Sequence, residues 1–250
     1  MEKLQTNSQS SIKKVIAVLS GKGGVGKSFV SSLLASSLKK QGYRVGILDA
    51  DITGPSIPKS FGLKENATSD GTNMIPQISK GGIKVMSVNL ILDDPATPVL
   101  WRAPLVSQII RQFYENVTWG DLDFLIVDMP PGTGDVALTI FQSLPIDGVV
   151  LVTSPQDLVG LIVEKSINMA SQMDIPILGL VENMSYFVCP HCGEKTEIYG
   201  PSKLKDLASS YEIKSTLQLP INPEFTEKVD QGKVEYLNLS EMDLFALSLD

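Results

Sequence analysis

The segment Gly21–Ser28, with the sequence GKGGVGKS, constrains the fold more than any other part of the chain. It matches the pattern G-x-x-x-x-G-K-[ST] in full, and it lies between a short apolar run at 15–19 and a helical pattern that begins at Lys27. Glycines allow backbone N–H groups to curl around phosphate oxygens, and a helix N-terminus favours an anion. The segment therefore predicts a strand, a phosphate-binding loop and a helix in that order.

Apolar runs of the same kind recur along the chain, and helical patterns separate them. Continuous rather than alternating apolar strands are typical of a parallel sheet that is covered on both faces. We therefore predict an α/β fold of the P-loop NTPase class, a doubly wound and mostly parallel sheet with helices on both faces. The further strands are predicted at 45–48, 124–127, 149–152 and 177–181, with a weak one at 83–88, and the main helices at 27–40, 104–116 and 158–173.

The chain shows no convincing internal boundary. Residues 1–13 are polar and rich in Ser and Gln, which predicts a flexible N-terminal tail. Residues 14–250 are predicted to form a single P-loop ATPase domain, and this domain carries the C-x-x-C segment at 189–192.

Charge and hydropathy exclude several partners. The net charge is −7 at pH 7, with no obvious basic block, whereas nucleic-acid binders usually carry a basic face. Lys13 and Lys14 precede an apolar run too short for a secretory signal. No stretch approaches the ~20 apolar residues that span a bilayer. We expect a cytoplasmic protein that binds neither nucleic acid nor membrane.

The loop chemistry predicts binding of ATP with Mg²⁺. Lys27 is expected to reach the β and γ phosphates, and the Ser28 hydroxyl to ligate Mg²⁺. The nucleotide contacts are assigned to the loop and the start of the helix, at Gly23, Gly24, Val25, Gly26, Lys27, Ser28 and Phe29.

Acidic residues follow two of the predicted strands. Asp49 and Asp51 come after the run at 45–48, and Asp128 follows the run at 124–127. Open α/β sheets bind ligands at this edge, where the strands end. Asp128 is therefore predicted to act on Mg²⁺ through water, and Asp49 to support the metal or its waters. Simple capping of a strand end by a polar residue is the alternative.

Cys189 and Cys192 form a C-x-x-C pair, which can point two thiolates at one metal. A tetrahedral site or a cubane cluster normally takes four ligands, and the chain has only these two cysteines and His191. A two-fold dimer would supply four thiolates at its axis. A redox dithiol and a zinc half-site shared by a dimer stay open as alternatives, and His191 is interpreted as part of the loop rather than as a ligand.

With these motifs, the chain resembles the Mrp/ApbC-type iron–sulfur cluster carrier ATPases. These belong to the deviant Walker A class, which also includes MinD and ParA. The resemblance spans about residues 13–235, and it rests on Lys22 in the phosphate loop and on the segments 48–56, 128–135 and 182–192. One departure is that the first thirteen residues hold no cysteine, so a second cluster bound there is not expected.

The resemblance implies roles for four residues in ATP hydrolysis. Lys22 would cross the interface of a homodimer to the nucleotide of the partner chain and neutralise charge on the transferred phosphoryl group, as an arginine finger does. Asp51 would position the attacking water. Asn183 would read the edge of the adenine, and Pro220 would flank the base.

The resemblance also implies a cargo. A [4Fe-4S] cluster would bridge the homodimer, held by Cys189 and Cys192 of both chains, and would be transferred to apo iron–sulfur proteins, with ATP hydrolysis that is slow and coupled to this function. Zinc could occupy the cysteines after aerobic purification. The alternative is a spatial-organisation ATPase switch of the MinD or ParA type. The segment 237–250 holds acidic residues and no Lys or Arg, which argues against the membrane-bound form of that switch.

Overall fold

The structure is a computed structural model that describes residues 3–52, 54–92, 103–156 and 161–249. Thr53 of the segment 48–56 and the start of the helix predicted at 158 lie outside the described residues. The strands are β1 Ser10–Ser20, β2 Val45–Asp49, β3 Thr68–Ser69, β4 Met74–Ile75, β5 Gln77–Ile78, β6 Lys84–Met86, β7 Gly120–Asp128, β8 Gly148–Thr153, β9 Ile177–Val188, β10 Lys195–Thr196 and β11 Ser215–Ile221. The α-helices are α1 Lys27–Lys40, α2 Ile57–Ser60, α3 Ala103–Glu115, α4 Asp135–Ser143, α5 Leu161–Gln172, α6 Leu204–Ser210, α7 Pro223–Asp230 and α8 Ser240–Leu247, and 3-10 turns lie at Val88–Leu90 and Val234–Tyr236.

One nine-stranded sheet organises the chain, and it confirms the predicted fold class. Its order is β10-β9-β8-β1-β7-β2-β6-β5, and β11 pairs with β9. The strands from β9 to β6 run parallel, as does β11, while β5 and β10 are antiparallel to their neighbours. The loops after β1, β2 and β7 therefore meet at the same edge of the sheet.

Each face of the sheet has its own hydrophobic core. Along β1, Val15, Ala17 and Leu19 pack into one core, and Ile16 and Val18 into the other. Residues of α3 to α6 belong to the first core, and residues of α1, α2, α7 and α8 belong to the second. Burial of both faces explains why the strands are continuous apolar runs. Within the described residues, no helix combines the length and the apolarity needed to cross a bilayer.

The N-terminal segment differs from the prediction of a flexible tail over residues 1–13. Strand β1 already begins at Ser10, which pairs with Gly120 of β7. Before it, Leu4 is buried in the first core, and the Lys3 ammonium donates a hydrogen bond of 2.8 Å to the Phe141 carbonyl. The boundary at residue 13 is wrong because main-chain pairing and one apolar anchor hold a segment whose composition is polar.

Candidate nucleotide site and cysteine hairpin

The phosphate loop turns through two left-handed glycines before α1 begins. Gly24 and Gly26 both have a φ of 85°, a conformation that residues with a Cβ rarely adopt. Gly26 also lies against β9, because a Cβ at this position would overlap the Asn183 amide. That amide donates a hydrogen bond of 2.9 Å to the Val25 carbonyl. The loop and β9 are thus locked together at the start of α1.

Lys27 and Ser28 face the carboxylate that ends β7. The buried Lys27 ammonium lies 2.9 Å from Asp128 Oδ1 and 3.9 Å from Asp51 Oδ2. The Ser28 hydroxyl donates to Asp128 Oδ2 over 2.6 Å, and Ser31, one turn along α1, donates to Asp128 Oδ1 over 2.6 Å. Sequence analysis missed Ser31, although its spacing of three from Ser28 places both on one face of a helix.

Asp49 lies deeper than Asp51 and is fully buried. It pairs in register with Asp128, and its carboxylate accepts hydrogen bonds from the Ser87 hydroxyl and the Ile57 amide. Burial, and after it the negative charge of Asp128, raises the pKa of Asp49 to about 8. Three carboxyl groups, those of Asp49, Asp51 and Asp128, thus lie at the strand ends near the Lys27 ammonium, and such an oxygen-rich site fits a hard cation such as Mg²⁺.

Two adjoining cavities open beside these residues. The first, of ≈ 350 Å³, is polar at its base and is lined by the phosphate loop together with Asp51, Lys59 and Pro131. The second, of ≈ 300 Å³, is mostly apolar, and Phe29 and Val229 line both. Its lining also includes Asn183, Met184, Pro220, Asn222 and Phe225. A cavity that contains Lys27, Ser28 and Asp51, next to a mostly apolar one, suits the phosphates and the base of one nucleotide.

Phe29, Asn183 and Pro220, which were assigned to the nucleotide from sequence, thus lie together in the apolar cavity. Phe225 and Val229 of α7 were not expected there. The rings of Phe29 and Phe225 lie 5.3 Å apart, so α7 closes the cavity over the start of α1. Nothing in the spacing of α7 ties it to residues two hundred positions earlier, and only the fold brings them together.

Lys22 differs from Lys27, the other lysine of the loop, in its surroundings. Its side chain is exposed, and it is not among the residues that line the phosphate cavity of its own chain. The Ser20 hydroxyl donates a hydrogen bond of 2.9 Å to the Lys22 carbonyl, which fixes the main chain at Lys22.

The cysteine pair occupies the turn of a short hairpin formed by the end of β9 and by β10. The Gly193 amide donates to the Cys189 carbonyl over 2.9 Å, and the Cys189 amide donates to the Glu194 carbonyl over 3.0 Å. Cys192 is exposed and Cys189 is partly exposed, and neither forms a disulfide.

The hairpin turns its main-chain donors toward the first cysteine. The backbone N–H of Cys192, and after it that of His191, lowers the pKa of the Cys189 thiol. Metals bind the thiolate form, so this turn favours a metal ligand at Cys189. Among the described residues, no group of three or more His, Cys, Asp or Glu side chains is arranged to hold a metal ion. The hairpin of one chain therefore offers two thiol ligands, which is half of a cubane site.

Comparison with known proteins shows the family of the chain. A ParA family model, described as NUBPL iron-transfer P-loop NTPase, matches residues 11–246. An iron-sulfur cluster carrier protein of Clostridium perfringens is 43% identical over 98% of this chain and 88% of its own length. One of Aquifex aeolicus is 45% identical over 89% of this chain, which spans only 61% of that relative.

A solved structure is also similar to this chain in sequence and fold. A nucleotide-binding protein from Archaeoglobus fulgidus, in complex with ADP, superposes with a TM-score of 0.85 at 44% identity, over 94% of this chain and 92% of that one. The resemblance inferred from the motifs is thereby confirmed. The chain belongs to the family of NUBPL-type iron-transfer P-loop NTPases.

Proposed function

We propose that this chain is an ATP-dependent carrier that holds a [4Fe-4S] cluster between two copies of itself and transfers the cluster to apo-proteins. The observation that carries the proposal is that β9 connects the two sites. Asn183 of this strand hydrogen-bonds the phosphate loop, and Cys189 follows the last residue of the same strand. Five residues of strand lie between them, and the six steps along the chain span about 20 Å.

The nucleotide half of the proposal assigns each residue a task in hydrolysis. Lys27 and the loop amides bind the β and γ phosphates. Ser28 and Asp128 would hold Mg²⁺, which neutralises phosphate charge, with Asp49 supporting them from below. Asp51, whose carboxylate lines the phosphate cavity, orients the water that attacks the γ-phosphorus as the bond to ADP breaks.

The assembly half of the proposal is a homodimer. Lys22 is exposed and is not among the residues that line its own phosphate cavity, and it would reach that of the partner chain. Cys189 and Cys192 of one chain supply two thiolates, and a two-fold axis doubles them to the four that a cubane cluster takes. Both incomplete sites are thus completed by the same symmetry.

The decisive experiment compares iron content with oligomeric state. The protein is reconstituted anaerobically with iron and sulfide, then analysed for iron, acid-labile sulfide and molar mass. We expect about four iron and four sulfide per dimer, and a dimer that forms more readily when loaded. Cys189→Ser and Cys192→Ser should each lose the cluster, because each removes two ligands from the symmetric site.

His191→Asn is the matched control, because it alters the same exposed turn without removing a thiolate, and it should retain iron. A monomer with a full cluster would refute the bridging arrangement, and so would stoichiometric iron in the Cys192→Ser protein. Dimerisation by ATP with no uptake of iron would instead favour the spatial-organisation switch.

A further inference from the structure

Strand β11 forms an open edge of the sheet. Within the described residues it pairs only with β9, so its other side carries main-chain N–H and C=O groups with no strand partner. Leu204 and Ala208 of α6 belong to the core on one face of the sheet, and Met242 and Phe245 of α8 belong to the core on the other. The open edge therefore lies at the bottom of a groove between two helices.

This groove, the β11 groove, has a volume of ≈ 550 Å³ and is lined by Thr216 and Gln218 of the strand and by Glu241 and Leu244 of α8. A second cavity of ≈ 480 Å³ continues it past α6 and shares Thr216. Leu244 is 70% exposed, the largest exposure among the large apolar side chains described. The groove thus offers an apolar wall and main-chain hydrogen-bonding groups along one line.

The charge of the β11 groove is opposite to that of the chain. Lys195, Lys205 and Lys214 line it against the single carboxylate of Glu241, whereas the chain as a whole carries −7. None of these lysines forms an ion pair with a carboxylate of the described residues. Lys195 instead lies 3.8 Å above the ring of Tyr186. A local positive patch on an acidic protein attracts acidic partners and repels the same patch of a second copy.

The β11 groove reaches the cysteine hairpin. Tyr186 lies three residues before Cys189, and Lys195 lies three residues after Cys192, and both line the groove. A segment bound in the groove would therefore bring the rest of its own protein close to the thiols.

We propose that the β11 groove binds an extended acidic segment of a partner protein, which adds to the sheet as a strand beside β11. We assign that segment to a protein that receives the cluster, and this assignment rests on the proposed function. Pro220 has no N–H, so pairing is confined to Ser215–Leu219, a length of about 16 Å. A second copy of this chain is a poor occupant, because two β11 edges would place lysines against lysines.

The test uses the full chain without cluster and a fluorescein-labelled peptide of alternating glutamate and valine, about eight residues long. Fluorescence anisotropy should report binding that weakens as salt is added. Lys205→Glu combined with Lys214→Glu should lower the affinity by about tenfold or more. Lys64→Glu combined with Lys80→Glu makes the same change in net charge at exposed lysines outside the groove, and it should bind like the parent protein.

Two peptides test the mode of binding. The same peptide with N-methyl groups on all of its amides should bind poorly, because neither of its edges can then donate to β11. A peptide with lysine in place of glutamate should not bind. Equal binding of either peptide, or of the two charge-reversed proteins, would overturn the proposal. Self-association of the parent protein that excludes the peptide would overturn it as well, since it assigns the groove to a second copy.

The outcome is separable from that of the carrier function. The chain with both Cys189→Ser and Cys192→Ser should still bind the peptide, and the chain with Lys205→Glu and Lys214→Glu should still load iron. Failure of the parent protein to load iron while it binds the peptide would contradict the carrier, and iron loading by a parent protein that does not bind the peptide would contradict the groove.

Discussion

At the scale of single residues, the nucleotide site depends on close packing between the phosphate loop and β9. Gly26 combines a left-handed backbone with the closest approach of the Asn183 amide. Asn183 in turn is buried and bonded to the Val25 carbonyl. Glycine is therefore required at position 26 for two reasons: it adopts the positive φ, and it has no Cβ to overlap the Asn183 amide.

We predict that Gly26→Ala weakens both nucleotide binding and stability. The left-handed backbone costs about 1–2 kcal/mol for a residue with a Cβ, and displacement of the Asn183 amide breaks its hydrogen bond, which adds about 1 kcal/mol. Thermal unfolding and calorimetric titration with Mg-ATP measure the two effects. Gly54→Ala is the control, since Gly54 has no positive φ and no atom within 4 Å of an added Cβ. Similar losses in both variants would contradict this account.

At the scale of elements, the sequence predicts the central strands and helices well and the polar extensions poorly. Strands β2, β7 and β8 follow from continuous apolar runs. Strand β9 was predicted to end at Val181, yet it continues to Val188 through the buried polar residues Glu182 and Asn183. Hydrogen bonds from distant residues, such as Ser202 and Gln218 to Glu182 Oε2, compensate part of this burial, and a local pattern cannot foresee such partners.

From the β9–β10 hairpin we predict that the pKa of the Cys189 thiol is lowered in the folded chain. In the Cys192→Ser chain only one thiol remains, while the main-chain N–H at position 192 still lowers the pKa of Cys189. The rate of alkylation by iodoacetamide should therefore rise with pH through a midpoint below that of the same chain unfolded in urea. The lowered pKa means that thiolate is present at a pH where an ordinary thiol is still protonated. Coincident midpoints would contradict a role for the hairpin.

At the scale of the whole molecule, the proposed function requires a second chain to complete both sites. The exposed Lys22 lies outside the cavity that its neighbours line, and the hairpin carries two thiols. The phosphate loop, the carboxylates at the strand ends and the cysteine pair were all predictable from sequence because each is a local motif. The apolar cavity closed by α7 was not, because it is assembled from segments far apart in the chain.

Complementation between two inactive chains tests whether Lys22 acts in the partner. Chains with Lys22→Ala and with Lys27→Ala should each hydrolyse ATP poorly. When the two chains are mixed in equal amounts, half of the dimers contain one chain of each kind. Each mixed dimer has one intact composite site out of two, so about a quarter of the parental rate should return. Differently tagged chains allow the mixed dimers to be isolated. If isolated mixed dimers are as inactive as either parent, Lys22 does not complete the partner's site.

The ion pair between Lys27 and Asp128 has a consequence for which ligands the loop accepts. Both side chains are buried, so an anion that captures Lys27 leaves Asp128 without its counterion, and breaking a buried pair costs about 3–5 kcal/mol. Binding of inorganic phosphate without a cation would carry the full free-energy cost of breaking this ion pair. In the proposed site, a nucleotide with its own divalent cation would exchange partners instead, since Lys27 would turn to the phosphates and the cation to Asp128. The pair would thus select against the small anions of the cell.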